Sequence, residues 1–213
     1  MCTNFTPSSR LIIQQRFGLD APAGEFKPEA FPGYLAPIIA RIDPAQGNQC
    51  LAAGFGLLPH RAEDKLARHT YNARSETVAV KPAFRHAWQR RQFCLVPMAH
   101  FYEPSYASGR AQRWRIGRRD GADFAAAGLW ECRQRDHAWH YSFTLLTINA
   151  DGHPLMGQFH KPDEEKRSLV IIEPPHYQAW LGGEGDFAGL LSLAPLAGFN
   201  AAAASEDGQL ALF

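Results

Sequence analysis

Residues 124–147 read FAAAGLWECRQRDHAWHYSFTLLT. Two apolar runs, from Phe124 to Trp130 and from Ala138 to Thr147, stand on either side of a charged centre. Short apolar runs of this length are predicted to be strands. Working outward, Gln112 to Ile116 and Leu169 to Ile172 have the same character, and Cys94-Leu95-Val96 is a short buried-type strand predicted to end at Pro97. Ile38 to Ile42 and Gln49 to Phe55 are two more, with Asp43-Pro44 and Gly47-Asn48 as turn signals. Helices are fewer. Thr6-Pro7-Ser8-Ser9 predicts a start, with Thr6 as cap and a stop at Gly18. Pro82 opens a second helix, whose Phe84, Ala87 and Trp88 follow i, i+3, i+4 spacing. Pro174-Pro175 opens a third, ended by Gly182-Gly183. The segment from Phe26 to Pro37 is irregular, and residues 185–213 are left unassigned. Many strands with few, peripheral helices predict an α+β fold with mostly antiparallel sheets.

The chain has 213 residues, without an internal repeat or a Ser/Gly linker, so one domain over 1–213 is expected. Hydrophobic residues make up 46% and charged residues 20%, which excludes a disordered or collagen-like chain. Cys2, Cys50, Cys94 and Cys132 form no C-x-x-C pair, so neither a disulfide scaffold nor a zinc knuckle is expected. No secretory signal or membrane span is read, and a soluble, reducing, cytoplasmic setting is the default expectation.

The net charge of +1 hides an asymmetry. Residues 61–119 carry a net of +9 and the remainder a net of −8. A basic middle suggests a local anionic partner, with a merely solvated charged face as the alternative.

Cys2 is the most informative residue. Once an initiator Met is removed, its α-amine (ordinarily near ~7.7–8.0) and its thiol (near ~8.5) are both available around neutral pH. Such a 1,2-aminothiol condenses with an aldehyde to a thiazolidine; alternatively its thiolate attacks an acyl group. Asn72 and Arg74 lie in the polar segment from Thr70 to Thr77, and the Arg74 fork suits a phosphate. Glu103 is the one acid between Lys81 and Arg119 and sits in an apolar, aromatic stretch. Such a setting raises a carboxyl pKa, whereas pairing with the surrounding arginines lowers it. His160, in Gly157-Gln158-Phe159-His160-Lys161-Pro162, is a candidate proton shuttle. Arg74, Arg85, Arg90, Arg91, Arg110 and Arg113, with Tyr71, Tyr102 and Trp114, offer cations and flat rings for a single strand.

Taken in order, Met1-Cys2, Gly33 to Pro37, Gly54 to Pro59, Asn72 to Thr77 with Lys81-Pro82-Ala83-Phe84, Arg91 to Pro97, Phe101-Tyr102-Glu103, Ala127 to Glu131, Thr144 to Thr147 and Phe159-His160-Lys161-Pro162 resemble the SOS response-associated peptidase (SRAP) family of abasic-site processing proteins. The resemblance runs from Met1 to about Leu181. It implies a barrel-like core of antiparallel strands with helices outside, acting as a monomer. It also implies covalent capture of abasic sites in single-stranded DNA, in the DNA damage response, with lyase-like Schiff-base chemistry. The protein would be nucleoid-associated when bound. By that resemblance Cys2 forms the thiazolidine, Asn72 holds the adduct, and Glu103 with His160 is the acid/base pair. Arg74 contacts phosphate, Thr147 lies near the adduct, and Tyr71 and Arg85 join the DNA surface. No metal or cofactor is implied, and autoprocessing exposes Cys2. The sequence departs from the family at Cys2-Thr3-Asn4 (usually Cys-Gly-Arg), at Phe55 and at Pro104 (each usually Trp). Two other functions stay open: an N-terminal-nucleophile cysteine hydrolase and a non-catalytic single-strand nucleic-acid binder.

Overall fold

The computed structural model describes residues 2–60, 62–183, 185 and 187–204. Met1, Arg61 and the end of the Ala-rich tail lie outside the described residues. Five strands close a barrel: β2 (Leu35–Ala40), β3 (Gln49–Phe55), β5 (Phe93–Ser105), β7 (Phe124–Arg135) and β8 (Ala138–Asn149). Their order around the ring is β7-β8-β3-β2-β5, with β5 returning to β7. All ring contacts are antiparallel except β3 with β8, which is parallel. The expected α+β class and barrel-like core are therefore what the chain adopts.

Period-2 alternation divides the apolar residues into two cores. Cys94, Val96, Ala126, Trp130, Phe143, Leu145, Ile38 and Phe55 belong to one cluster, on one face of each closing strand. Leu95, Ala127, Leu129, Ile39 and Trp180 belong to the other, beneath α2 (Arg85–Gln89) and α3 (Tyr177–Gly182). Trp180 is fully buried and its indole N–H donates to the Cys94 carbonyl at 2.9 Å. Gly128 sits at a tight point of the wall. A Cβ there would stand 2.6 Å from the Thr144 carbonyl oxygen and 2.9 Å from Cys94 Sγ.

β5 is the spine of the molecule. Its first half lies in the barrel between β2 and β7. Its second half leaves the ring to pair with β1 (Asn4–Pro7) and β6 (Gln112–Arg118). Pro97 does not end this strand, contrary to expectation. Its carbonyl accepts from Ser8 N–H at 3.1 Å, so the edge on which Pro97 lacks a donor faces the residue just past the end of β1.

Thr6 is not the first helix's cap. Thr6 and Pro7 are extended in β1, and Ser9 Oγ accepts from Ile12 N–H to start α1 (Arg10–Phe17). That helix stops at Gly18, with φ of 66°, as predicted. The predicted strand from Leu169 to Ile172 is two strands, β9 (Arg167–Leu169) on β8 and β10 (Ile171–Ile172) on β7. At Val170 the chain steps between partners, donating to Leu146 and accepting from Ala127. The tail left unassigned includes β11 (Phe199–Ala203), which extends the sheet beside β6.

Candidate active site at Cys2

β1 runs antiparallel to β5 with Asn4 opposite Tyr102, so the residues just before it run along Glu103 and Pro104. Cys2 is thereby buried, 1% exposed. Its thiol donates to the Asn4 carbonyl at 3.3 Å. Burial, reinforced by the nearby Glu103 carboxyl, pushes that thiol far above its ordinary range.

Asn72 arrives from β4 (Asn72–Arg74), a three-residue strand laid parallel on β8. Its side-chain N–H donates to the Cys2 carbonyl at 2.7 Å. Tyr71, just before it, packs edge-on to Phe55 at 5.8 Å between centroids. Its phenol is pushed up by burial and by the proximity of Cys2 and Glu103, which places it at the same site.

Glu103 projects from β5, where Trp114 of β6 is its cross-strand neighbour. It is 2% exposed, and burial pushes its carboxyl up to about 7. The apolar setting thus governs it, rather than pairing with arginines.

His160 is brought in by backbone. Phe159 bridges to Ser105, and His160 N–H donates to the Pro104 carbonyl at 2.8 Å. The residue has a left-handed φ of 64°, a conformation costing about 1–2 kcal/mol for a non-glycine residue. That turn sets Nδ1 at 3.5 Å from Glu103 Oε2 and Nε2 at 3.2 Å from the Arg167 carbonyl. A carbonyl oxygen only accepts, so this second contact requires hydrogen on Nε2, which in the neutral ring leaves the lone pair on Nδ1. Burial pushes the imidazole down to about 4, so it is neutral near neutral pH.

The remaining predicted residues fall into two groups. Thr147 is buried beside β4, its carbonyl accepting from Ser75 N–H and from Arg167. Arg74, opposite Thr147 in the parallel ladder, is half exposed and ion-paired to Glu165 at 2.7 Å. Arg85 is different. It opens α2 with an exposed side chain, and among the described residues no hydrogen bond or ion pair joins it to Cys2, Asn72, Glu103 or His160.

The basic middle is also less uniform than its net charge implies. Arg113 is paired with Glu29 at 2.5 Å and stacks over Tyr102 at 3.6 Å, and Arg118 is paired with Asp120. Asn4 joins this first group, donating to the same Glu29 oxygen at 2.7 Å. Two surface hollows, one against Tyr177 and one against Glu131, include no residue of the Cys2 cluster. Among the described residues no group of three or more His, Cys, Asp or Glu is placed to hold a metal ion, and no helix is long and apolar enough to cross a membrane.

A closed barrel that buries an N-terminal-region cysteine against an asparagine amide and a carboxyl–imidazole pair defines the class to which this chain belongs. The chain is a member of the SOS response associated peptidase (SRAP) family, whose model matches residues 1–204. The match therefore continues past Leu181 to include β11. Among curated relatives, abasic site processing protein YoaM of Bacillus subtilis is 32% identical over 187 residues, covering 85% of this chain and 79% of that one. YobE of the same organism, also named an abasic site processing protein, is 30% identical over 194 residues, covering 85% and 82%. A crystal structure from Bordetella bronchiseptica superposes with a TM-score of 0.85 at 32% identity, covering 96% of this chain and all of that one. Another from Bacteroides thetaiotaomicron, at 20% identity, covers 97% of this chain and 93% of its own with a TM-score of 0.80, and shows the fold alone.

Sequence reasoning missed Arg167. It lies in the charged run from Asp163 to Arg167, which reads as a solvated face, yet it is 2% exposed. It forks onto Glu76 and also reaches Glu165 and Thr147. No local signal marks it, because its partners lie up to 91 positions away.

Proposed function

We propose that this protein processes DNA by capturing abasic sites in single strands as a thiazolidine on Cys2. The observation that carries the reading is the convergence of Cys2, Asn72, Glu103 and His160, from four separate segments, at one buried point. Removal of Met1 uncovers the Cys2 amine, and autoprocessing at that bond accounts for the peptidase in the family's description.

The amine adds to the ring-opened sugar aldehyde to give a carbinolamine. Loss of one water gives the imine. The thiol then adds across C=N, sulfur to carbon and proton to nitrogen. The balance is one water released and no redox change. Glu103, near half-protonated at neutral pH, supplies the proton for the departing hydroxyl and as carboxylate receives the thiol's. The buried thiol stays protonated until then, so the amine reacts first. Neutral His160 presents its Nδ1 lone pair to Glu103 and exchanges a proton with it. Asn72 fixes the main chain of the nucleophile through the Cys2 carbonyl. Arg74 takes a phosphate in exchange for Glu165, with Tyr71 and Thr147 lining the sugar side and Arg85 a more remote cation. The partner is single-stranded DNA, and no cofactor enters the sequence of steps.

Intact mass after mixing with an abasic single-stranded oligonucleotide tests this. The expected product is protein plus oligonucleotide less one water, formed only on chains lacking Met1. Salt-sensitive binding without any mass increase would make the protein a non-catalytic binder instead.

A further inference from the structure

Arg167 is the one buried arginine among the described residues. Taking a guanidinium out of water is costly unless its donors are matched, and here both Nη groups are matched while Nε, among the described residues, has no partner. Nη1 and Nη2 meet the two Glu76 oxygens at 2.9 and 2.8 Å, a bidentate fork. Nη1 also meets Glu165 at 2.8 Å, and Nη2 the Thr147 carbonyl and hydroxyl at 2.8 and 3.1 Å. Glu76 lies two residues beyond β4, and its Oε1 also accepts from Asn149 N–H of β8. Glu165 also holds Arg74. The residue's own carbonyl receives His160 Nε2. One side chain therefore ties the segment that delivers Asn72 and Arg74 to the segment that delivers His160, and both to β8.

We propose that Arg167 is a positioning residue, whose fork onto Glu76 sets the spacing between the Asn72 amide and the His160 ring and so fixes the imidazole in its Nε2–H form against Glu103. This rests on the reading of the site as an abasic-site capture centre. A lysine is a poor substitute, because a single ammonium cannot make two parallel bonds to one carboxylate while also reaching Thr147. Displacing a reacting group by about 1 Å costs on the order of 10²-fold in rate.

The test uses Arg167→Lys and the charge-neutral double variant Arg167→Met with Glu76→Gln, which leaves no carboxylate at position 76 without its cation should the single change fail to fold. Adduct formation is followed in single turnovers over a range of abasic single-stranded DNA. The expected result is a maximal rate lower by about 10²-fold in both, with the half-saturating DNA concentration within about twofold of wild type. Nitrogen-15 shifts of the His160 ring, recorded without DNA, should show Nε2–H in the wild type and a tautomer mixture in the variants. Full rescue by lysine would overturn the proposal. So would a raised half-saturation with a salt slope shallower by about 0.7, which would make Arg167 a phosphate ligand. A lowered melting temperature with unchanged rate and ring shifts would leave it a purely structural residue and overturn the proposal too. If the wild type itself forms no adduct, the capture reading fails, and the His160 shifts alone still decide whether Arg167 sets the ring.

Discussion

His160 Nδ1 stands 3.5 Å from Glu103 Oε2, with both side chains shielded from water. Burial displaces the two groups in opposite directions from their ordinary values, Glu103 from 4.5 to about 7 and His160 from 6.5 to about 4. The linkage signs oppose. Glu103 holds its proton more tightly in the folded state, so its contribution is full below pH 4.5 and is lost as pH rises to about 7. His160 holds its proton less tightly, so its contribution is full above pH 6.5 and is lost as pH falls to about 4.

The pair should therefore leave stability nearly flat between pH 4.5 and 6.5, where the two slopes cancel. Removing one partner exposes the other. Glu103→Gln should lose stability on acidification from 6.5 toward 4, and His160→Gln should lose it on alkalinisation from 4.5 toward 7. Each effect is on the order of a few kcal/mol. Urea denaturation at half-unit pH steps, taken as a difference from wild type, reads both slopes. Slopes of the same sign in the two variants would show that these groups do not titrate as their burial requires.

The same variants separate stability from chemistry. At pH 7, where both should fold, Glu103→Gln should slow adduct formation by about 10²–10⁴-fold, the usual worth of a positioned acid or base. A rate equal to wild type would remove Glu103 from proton transfer.

Gly128 offers a test of the barrel wall. With the Thr144 carbonyl oxygen 2.6 Å and Cys94 Sγ 2.9 Å from where a Cβ would stand, Gly128→Ala must push against backbone of the neighbouring strand β8. The expected cost is about 1–3 kcal/mol. A denaturation midpoint unchanged from wild type would mean that β5, β7 and β8 relax freely there.

The strands were legible in the sequence because a barrel wall buried on both faces reads as a short, nearly continuous apolar run. Phe124 to Trp130 and Ala138 to Thr147 each lie wholly within a strand of the ring. What was illegible depends on distant partners. Thr6 looks like a helix cap, but its hydroxyl is 3.0 Å from Tyr102 Oη, 96 positions away, within the β1–β5 ladder. Pro97 looks like a strand end, yet the edge on which it lacks a donor faces Ser8, just past the end of β1, while β5 runs on to Ser105. At the site, Cys2, Asn72, Glu103 and His160 were each readable as candidates. The left-handed turn at His160 and the burial of Arg167 were not, since backbone contacts with Pro104 and a fork onto Glu76 create them.

Arg74 is already occupied in the free protein. Its ion pair with Glu165 at 2.7 Å must open for a phosphate to bind. Arg74→Ala should weaken single-strand binding and flatten the log–log salt slope by about 0.7, one phosphate contact. Glu165→Gln should strengthen binding, because the competing carboxylate is gone. Fluorescence anisotropy over a salt series measures both, and a Glu165→Gln variant that binds more weakly would show that this pair supports the DNA surface rather than competing with it.

Cys2 carries the decisive prediction. An acylated nitrogen cannot form an imine, so a chain retaining Met1 should give no adduct of any kind. Cys2→Ala, once Met1 is removed, keeps a free amine and loses the thiol. It should form a reversible Schiff base that borohydride traps, but no heat-stable product, because nothing closes the ring. Cys2→Ser should behave similarly, since a hydroxyl is a poorer nucleophile than a thiol. Burial of the wild-type thiol sharpens the contrast with surface cysteines. Held protonated beside Glu103, it should resist alkylation by iodoacetamide in the native state at pH 7 more than half-buried Cys50 or Cys132 does. Mass spectrometry after heating, with and without borohydride, distinguishes the species. As much heat-stable crosslink from Cys2→Ala as from wild type, or any crosslink from the Met1-retaining chain, would rule out the thiazolidine and leave the simple nucleic-acid binder as the better account.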